Sequence, residues 1–199
     1  MTERAYHHGN LRQELLERAW ATIDGDGLEA LSLRQLARDV GVSHGASARH
    51  FADRTALLDA IAVAGFTRMN ETLAAAVAGE TTFAGQLRAA GLAYIGFAVE
   101  HPAILDLMYK AKHHPDASPE LVQLSRSSMA VVIELVGEAQ ARGEVRSGDV
   151  ERQSLVVFAA VHGVAALATD DLLDGVPWRD AAEATIDAVL GSLTGVATT

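Results

Sequence analysis

Helical periodicity runs through almost the whole chain, and it limits the possible folds more than any other feature of the sequence. Apolar residues recur at intervals of three and four, as at Leu15, Leu16, Ala19, Trp20 and Ile23, which places them on one face of a helix. No segment shows a convincing strand alternation. Gly, Asn, Ser and Asp separate the helical segments, so the sequence predicts an all-α fold.

Helix-start residues divide the chain into short N-terminal helices and longer C-terminal ones. Asn10, Ser32, Ser43 and Asp53 each precede a helical segment and belong to the residue types that cap helix N-termini. The later helices are predicted over residues 83–100, 102–110, 119–142, 149–169 and 179–194. The chain divides into a part with short helices, a connecting helix and a part with long helices, over residues 1–54, 55–80 and 81–199.

The charge is distributed unevenly along the chain. The net charge is −10, but residues 1–54 hold 7 Lys and Arg against 8 Asp and Glu, whereas residues 55–199 hold 9 against 18. The acidity therefore belongs to the second part and does not exclude nucleic-acid binding by the first. The absence of cysteine removes disulfides and thiolate metal sites and fits a reducing cytoplasm.

Neither a secretory signal nor a membrane span is expected. Residues 1–9 are polar, and the longest nearly apolar stretch, residues 154–169, is interrupted by His162. That stretch is shorter than the roughly 20 residues that a spanning helix needs. The sequence predicts a soluble, cytoplasmic protein that does not contact a membrane.

Residues 32–51 read as a helix, a three-residue turn and a second short helix. Ala37 and Gly41 lie four residues apart, where a close helix crossing needs a small side chain and a tight turn needs positive φ. Val42 and Phe51 bracket the second helix and can anchor it in a core. The pattern predicts a helix-turn-helix motif, whose second helix enters the major groove of DNA.

The second helix has little side-chain bulk, which lets its backbone approach DNA. We expect His44 and Ser47 to reach base edges and the neighbouring cations to contact phosphates. The full set of candidate DNA-contacting residues is Arg34, Ser43, His44, Gly45, Ser47, Arg49, His50, Arg54 and Thr55.

Two other interpretations of this segment stay open. The motif can be a structural corner in a helical ligand-binding or interaction protein that binds no nucleic acid. Residues 41–45 also match the G-x-S-x-G pattern of serine hydrolases, which needs a buried strand before the serine. A charged helical pattern precedes Ser43 instead, so we expect Ser43 to be an N-cap, and we expect no catalytic residue and no enzyme activity.

A family resemblance rests on four groups of residues. They are His8-Gly9-Asn10-Leu11-Arg12, Gly27-Leu28-Glu29-Ala30-Leu31-Ser32-Leu33-Arg34-Gln35-Leu36-Ala37, Gly41-Val42-Ser43, and Arg49-His50-Phe51 with Leu57-Leu58. Together they resemble the N-terminal domain of the TetR/AcrR family of one-component transcriptional regulators, over residues 5–65. The resemblance implies DNA binding. Family members commonly carry Tyr where this chain has Ala48, so one usual backbone contact is missing.

The C-terminal part resembles the subgroup of that family whose ligand domain carries a Trp-His-Gly motif. Here the motif reads Val161-His162-Gly163, and Tyr94-Ile95-Gly96-Phe97 followed by His101-Pro102 adds to the likeness. The resemblance implies a small-molecule effector that releases the protein from DNA, and it does not identify that molecule.

Aromatic and polar residues of the C-terminal helices can line a ligand cavity. The candidates are Tyr94, Phe97, Met108, Tyr109, Phe158 and His162. Residues of these types at helical spacing are more often ordinary core, so that alternative stays open. The pairs His7-His8 and His113-His114 lack a third ligand at suitable spacing, so neither a metal nor a cofactor is expected.

The last two helices carry small residues on a second side. Residues 180–194 combine an apolar stripe with a small-residue stripe, namely Ile186, Val189, Leu190 and Leu193 against Ala181, Ala184, Ala188 and Gly191. Ala159, Gly163 and Ala166 repeat the small-residue pattern in the preceding helix. A helix that is apolar on two sides must be buried on two sides, which predicts a homodimer. The combined hypothesis is a ligand-released repressor that binds a palindromic double-stranded DNA operator as a dimer. Residues 1–54 are then the DNA-binding domain, residues 55–80 the connecting helix, and residues 81–199 the ligand-binding and dimerisation domain.

Overall fold

A computed structural model describes residues 11–195, and every regular element within that range is helical. A 3-10 turn at Leu28–Ala30 separates the first two α-helices. The α-helices are α1 (Leu11–Asp26), α2 (Leu33–Val40), α3 (His44–Ala48), α4 (Arg54–Val77), α5 (Phe83–Glu100), α6 (Pro102–Ala111), α7 (Pro119–Ala141), α8 (Val150–Thr169) and α9 (Trp178–Thr194). The predicted all-α fold is confirmed. The predicted cap at Asn10 lies outside the described residues.

Ser43 and Asp53 cap helices as the sequence predicts, whereas Ser32 precedes α2 but its side chain makes no cap hydrogen bond. The Ser43 hydroxyl accepts a hydrogen bond from the Ala46 amide at 3.2 Å, and the Asp53 carboxylate accepts one from the Ala56 amide at 2.8 Å. Pro102 and Pro119 are the first residues of α6 and α7, where a missing N–H breaks no helical hydrogen bond.

The backbone determines where α1 and α3 end. The sequence predicts that Gly25 and Gly27 end the first helix, and α1 continues through Gly25 to Asp26 because the chain turns out of the helix at Gly27, which has φ +82°. The third helix is predicted to extend through His50, but α3 ends at Ala48.

The N-terminal compact unit comprises residues 11–65 and 103–122. It holds α1 to α3, the first half of α4, and α6. Leu15, Ile23, Leu36 and Phe51 are at most 2% exposed and form its core. A Cβ atom on Gly65 would lie 2.6 Å from the Met108 sulfur, so α4 and α6 approach closely. This packing explains why α6, assigned by sequence to the C-terminal domain, groups with the N-terminal helices.

The second compact unit comprises residues 66–102 and 123–195. In it α5, α8 and α9 pack on one another. A Cβ atom on Gly91 would lie 2.8 Å from Ile186 Cδ1, so α5 and α9 cross at short range. The Arg88 guanidinium donates a hydrogen bond to the Asp187 carboxylate between the same two helices. The Ser128 hydroxyl donates to the Asn70 side-chain oxygen at 2.6 Å and links α7 to α4.

Candidate nucleic-acid interface and effector site

A left-handed glycine closes the turn between α2 and α3. Gly41 has φ +78°, a conformation that glycine adopts without steric cost. Its amide donates to the Arg38 carbonyl at 3.0 Å, and the Val42 amide donates to the Ala37 carbonyl at 2.8 Å. Ala37 is 1% exposed. The turn is therefore held by backbone hydrogen bonds that end α2 and direct the chain into α3.

We expect Gly41→Ala to lower the free energy of unfolding by about 1 kcal/mol, because alanine pays a steric penalty at positive φ. A Cβ atom added at Gly41 would meet no other atom within 4 Å, so the effect comes from the backbone alone. Gly45→Ala is the matched control, since Gly45 also has open space and sits in helix α3. Urea denaturation checks the pair, and equal stability of the two variants would contradict the role given to Gly41.

Most of the predicted DNA-contacting residues are exposed on α3 and beside it. His44, Gly45, Arg49 and His50 are exposed, as is Ser43. Arg34, on α2, and Arg54 and Thr55, at the start of α4, are also exposed. These residues supply cations, imidazoles and hydroxyls, which are the groups that contact phosphates and base edges. Their contact with DNA stays a prediction.

Ser47 does not fit the prediction that it reads a base edge. Its side chain is fully buried, and its hydroxyl donates to the His44 carbonyl at 2.9 Å. Helix α3 contains five residues, and the side facing the core of the N-terminal unit carries Ser47. The Ser47 hydroxyl therefore stabilises α3 through a hydrogen bond within the helix. We no longer count Ser47 among the residues expected to contact bases.

Arg54 has a structural contact that the sequence did not indicate. Its guanidinium donates to the Leu28 carbonyl at 3.0 Å and so ties the start of α4 to the 3-10 turn after α1. Leu28 and Arg54 are far apart in sequence, and no local pattern predicts the contact. The side chain is nevertheless exposed, and a guanidinium has several donors, so it can serve this carbonyl and a phosphate together.

A carboxylate at the end of α2 joins that helix to α1. Asp39 accepts hydrogen bonds from Gln35 Nε2 at 2.6 Å and from Arg18 Nε at 2.8 Å. These two hydrogen bonds, from Gln35 and then Arg18, hold the pKa of the Asp39 carboxyl below its usual value. The contact stabilises the fold above the ordinary aspartate pKa and is lost as the pH falls through the lowered value. It fixes the helix that precedes the recognition helix.

Three of the predicted effector-binding residues come together in the second unit. The Tyr94 hydroxyl and His162 Nδ1 are 2.8 Å apart and form a hydrogen bond. The Phe158 ring stacks on the His162 ring at a centroid distance of 5.3 Å, and the Tyr94 ring meets the Phe158 ring edge-on at 6.3 Å. The cluster presents two half-buried rings beside a buried tyrosine.

The other predicted effector residues lie elsewhere. Phe97 is buried and stacks edge-on against His101 at 5.2 Å, beside an open cleft of about 380 Å³. Met108 and Tyr109 belong to α6 in the N-terminal unit, where Met108 is fully buried against Gly65. In residues 11–195 no three His, Asp or Glu side chains are arranged to hold a metal ion, and His7-His8 lie outside that range.

The chain combines a short, exposed recognition helix after a glycine turn with a bundle of long helices. This combination defines a helix-turn-helix transcriptional regulator. Family models agree with this class. Residues 15–61 match the model for bacterial regulatory proteins of the tetR family, and residues 87–193 match a tetracyclin repressor-like C-terminal domain. The chain belongs to the TetR family.

Solved structures share the fold over nearly the whole chain. A protein of unknown function from Rhodococcus sp. RHA1 is 44% identical, with a TM-score of 0.91 over 96% of this chain and 100% of that one. A tetR-family regulatory protein from Rhodococcus RHA1 is 18% identical, with a TM-score of 0.72 over 92% of this chain and 96% of that one. A TetR-family regulator from Marinobacter aquaeolei VT8 is 15% identical, with a TM-score of 0.72 over 92% and 95%. No curated protein sequence matches the chain.

Proposed function

We propose that this TetR-family regulator acts in the cytoplasm as a homodimeric repressor, binds a pseudo-palindromic operator, and leaves it when a small molecule binds the second unit. The observation that carries the proposal is an apolar face on α8 that the protomer leaves exposed. Leu155, Val156 and Leu167 are 56%, 50% and 42% exposed. An exposed contiguous apolar face indicates a surface that another molecule covers.

The composition of α8 is compatible with two environments. The helix is long and apolar enough to cross a membrane by length and composition alone, and 28% of its apolar stretch is buried in the protomer. The sequence predicts no membrane span over residues 154–169, and the helix meets the length criterion because it is longer than that stretch. In a dimer, a helix of the second protomer would cover this face in place of lipid, and α9 would supply the rest of the interface.

Two residues of the small-residue stripe of α9 are also exposed. Ala184 and Ala188 are exposed, while Ile186, Val189 and Leu193 are buried in the same helix. On α8, Ala159 and Ala166 are exposed on the same side as Leu155 and Leu167. Small side chains allow two helices to approach closely, so α8 and α9 of two copies can form a four-helix interface with two-fold symmetry.

A mobility-shift titration combined with sedimentation of the complex tests the proposal. The expected complex contains two protein chains on one duplex, with half-site centres about 34–36 Å apart or a small multiple of that distance. A single chain that binds an isolated half-site as tightly as the full operator would overturn the dimer and the palindrome together.

Effector release is proposed as a shift between two arrangements of the dimer. The effector favours an arrangement whose recognition helices no longer match the spacing of the half-sites, and coupling of about 1–3 kcal/mol is typical of such regulators. The ring cluster of Tyr94, Phe158 and His162 supports an effector site in the second unit, because it offers flat apolar surfaces with a hydroxyl and an imidazole. No catalytic role is proposed for Ser43, whose hydroxyl caps α3.

We expect Arg54→Ala to weaken binding to all DNA sequences about equally, because a phosphate contact carries no base information. A dimer would lose two such contacts, so the slope of log K against log salt should become shallower by about 1.8. Arg126→Ala, an exposed arginine on α7, is the control and should leave the slope unchanged. Since Arg54 also holds Leu28, thermal melts must accompany the titrations, and a change of base preference would contradict the phosphate assignment.

A further inference from the structure

The open cleft beside Phe97 has a composition unlike that of the rest of the second unit. It lies among α4, the C-terminal half of α5 and the start of α9, and it has a volume of about 380 Å³, within the range of small-molecule sites. Its lining residues are Arg68, Thr72, Leu92, Ala93, Gly96, Phe97, Glu100, His101, Trp178 and Arg179. The charged lining residues are two arginines, Arg68 and Arg179, and one carboxylate, Glu100. By contrast, residues 55–199 as a whole carry twice as many acidic as basic residues.

The aromatic walls of the cleft are held in place by contacts on α5 and α9. The Phe97 ring is braced edge-on by the His101 ring. Trp178 Cη2 lies 3.7 Å from the position of a Cβ atom on Gly96, so the edge of the indole packs close to α5 at this glycine. Phe97 and Trp178 both line the cleft, and a flat apolar molecule can lie there against these rings.

Arg179 provides an anion-binding group at the same place. Its guanidinium carbon lies over the Trp178 ring, 4.4 Å from the ring centroid, and a guanidinium in a cation–π contact can still donate hydrogen bonds from its N–H groups. Within residues 11–195 these donors have no hydrogen bond or ion pair to another side chain. A carboxylate or sulfonate matches such donors in charge and geometry.

We propose that this cleft binds an organic anion with a flat apolar body, the anionic group on Arg179 and the apolar body against Phe97 and Trp178. This cleft is a second ligand site, in addition to the effector site that the proposed function places at the ring cluster of the same unit. The ring cluster of Tyr94, Phe158 and His162 is at a different place in the second unit. Of the six residues predicted from the sequence to line a ligand cavity, only Phe97 lines the cleft.

The probe for the test is 1-anilinonaphthalene-8-sulfonate, and its neutral analogue N-phenyl-1-naphthylamine has the same rings without the anion. We expect saturable sulfonate binding that weakens about five- to tenfold in Arg179→Ala, as expected for an exposed charged hydrogen bond. The neutral analogue should change little in that variant. Gly96→Leu should abolish binding of both probes, because Gly96 lines the cleft and a leucine side chain there would occupy it. Arg126→Ala is the control for loss of one exposed arginine and should bind both probes normally.

Emission of Trp178 gives a second readout. The chain has two tryptophans, so a Trp20→Phe background reports on Trp178 alone, and the probe should quench it. Circular dichroism checks whether Gly96→Leu folds. If Gly96→Leu does not fold, the comparison of wild type with Arg179→Ala still tests the proposal. Sulfonate affinity that is equal in wild type and Arg179→Ala would overturn the proposal, as would unchanged binding in folded Gly96→Leu.

Operator binding in the same samples separates this inference from the proposed function. If the sulfonate binds in the cleft as expected but the protein fails to form a dimer or to bind an operator, the cleft stands and the repressor proposal fails. If the operator complex forms as expected but Arg179→Ala leaves sulfonate binding unchanged, the cleft proposal fails alone.

Discussion

Ala188→Arg is expected to convert the protein into a monomer and to reduce operator affinity by at least about a hundredfold. Ala188 is exposed in the protomer and lies on the small-residue stripe of α9, where two helices would pack closely in the dimer. An unpaired cation buried in such a seam costs on the order of 3–5 kcal/mol, and two-fold symmetry introduces it twice. One short recognition helix contacts too little DNA to compensate.

The protomer itself should tolerate Ala188→Arg. Ile186, Val189 and Leu193 are buried on the other side of α9, and they are unchanged. Light scattering at micromolar concentration measures the oligomeric state, and a thermal melt measures the fold. Ala74→Arg is the matched control, an exposed alanine on α4, which is not part of the proposed interface, and it should remain dimeric. An Ala188→Arg protein that is still a dimer would show that the interface lies on other helices.

The second large effect is expected for His44→Ala. His44 is exposed at the first position of α3, where a side chain can enter the major groove. Loss of its base contact should cost about 1–3 kcal/mol of discrimination at one base position in each half-site, while binding to unrelated DNA changes little. A series of operator variants measured against both proteins checks the prediction.

Ser47→Ala is the informative counterpart of His44→Ala. Because the Ser47 hydroxyl is buried and bonded to the His44 carbonyl, its loss should lower stability by about 1 kcal/mol and leave base preference unchanged. A changed preference in Ser47→Ala would contradict the buried position of that side chain in the DNA complex. An unchanged preference in His44→Ala would assign that histidine to a phosphate instead.

The sequence predicts the helices well because the signals that start them are local. Asp53 caps the start of α4, and Pro102 and Pro119 are the first residues of α6 and α7. The exposed residues of the recognition helix follow equally from a short motif. The prediction for Ser47 is wrong because the rotation of a five-residue helix depends on its packing in the core, and residues 44 and 47 differ in burial although they are one turn apart.

The cleft and the ring cluster depend on contacts between distant segments, and sequence spacing gives little information about them. Tyr94 and Phe97 are three residues apart on α5, yet only Phe97 lines the cleft. Trp178 and Arg179 line it as well, and nothing in their local sequence places them beside Gly96. Met108 is a candidate for the same cavity by sequence, but it fills the space that Gly65 leaves in the N-terminal unit.

Selection of bound duplexes from a random library tests most directly the claim that this TetR-family chain reads an operator as a two-fold dimer. We predict enrichment of one pseudo-palindrome whose half-site centres are about one helical turn, or a small multiple of it, apart. The same selection with Ala188→Arg should enrich nothing above background. Enrichment of a single asymmetric half-site by the wild type, or of the same palindrome by a monomeric Ala188→Arg protein, would contradict the claim.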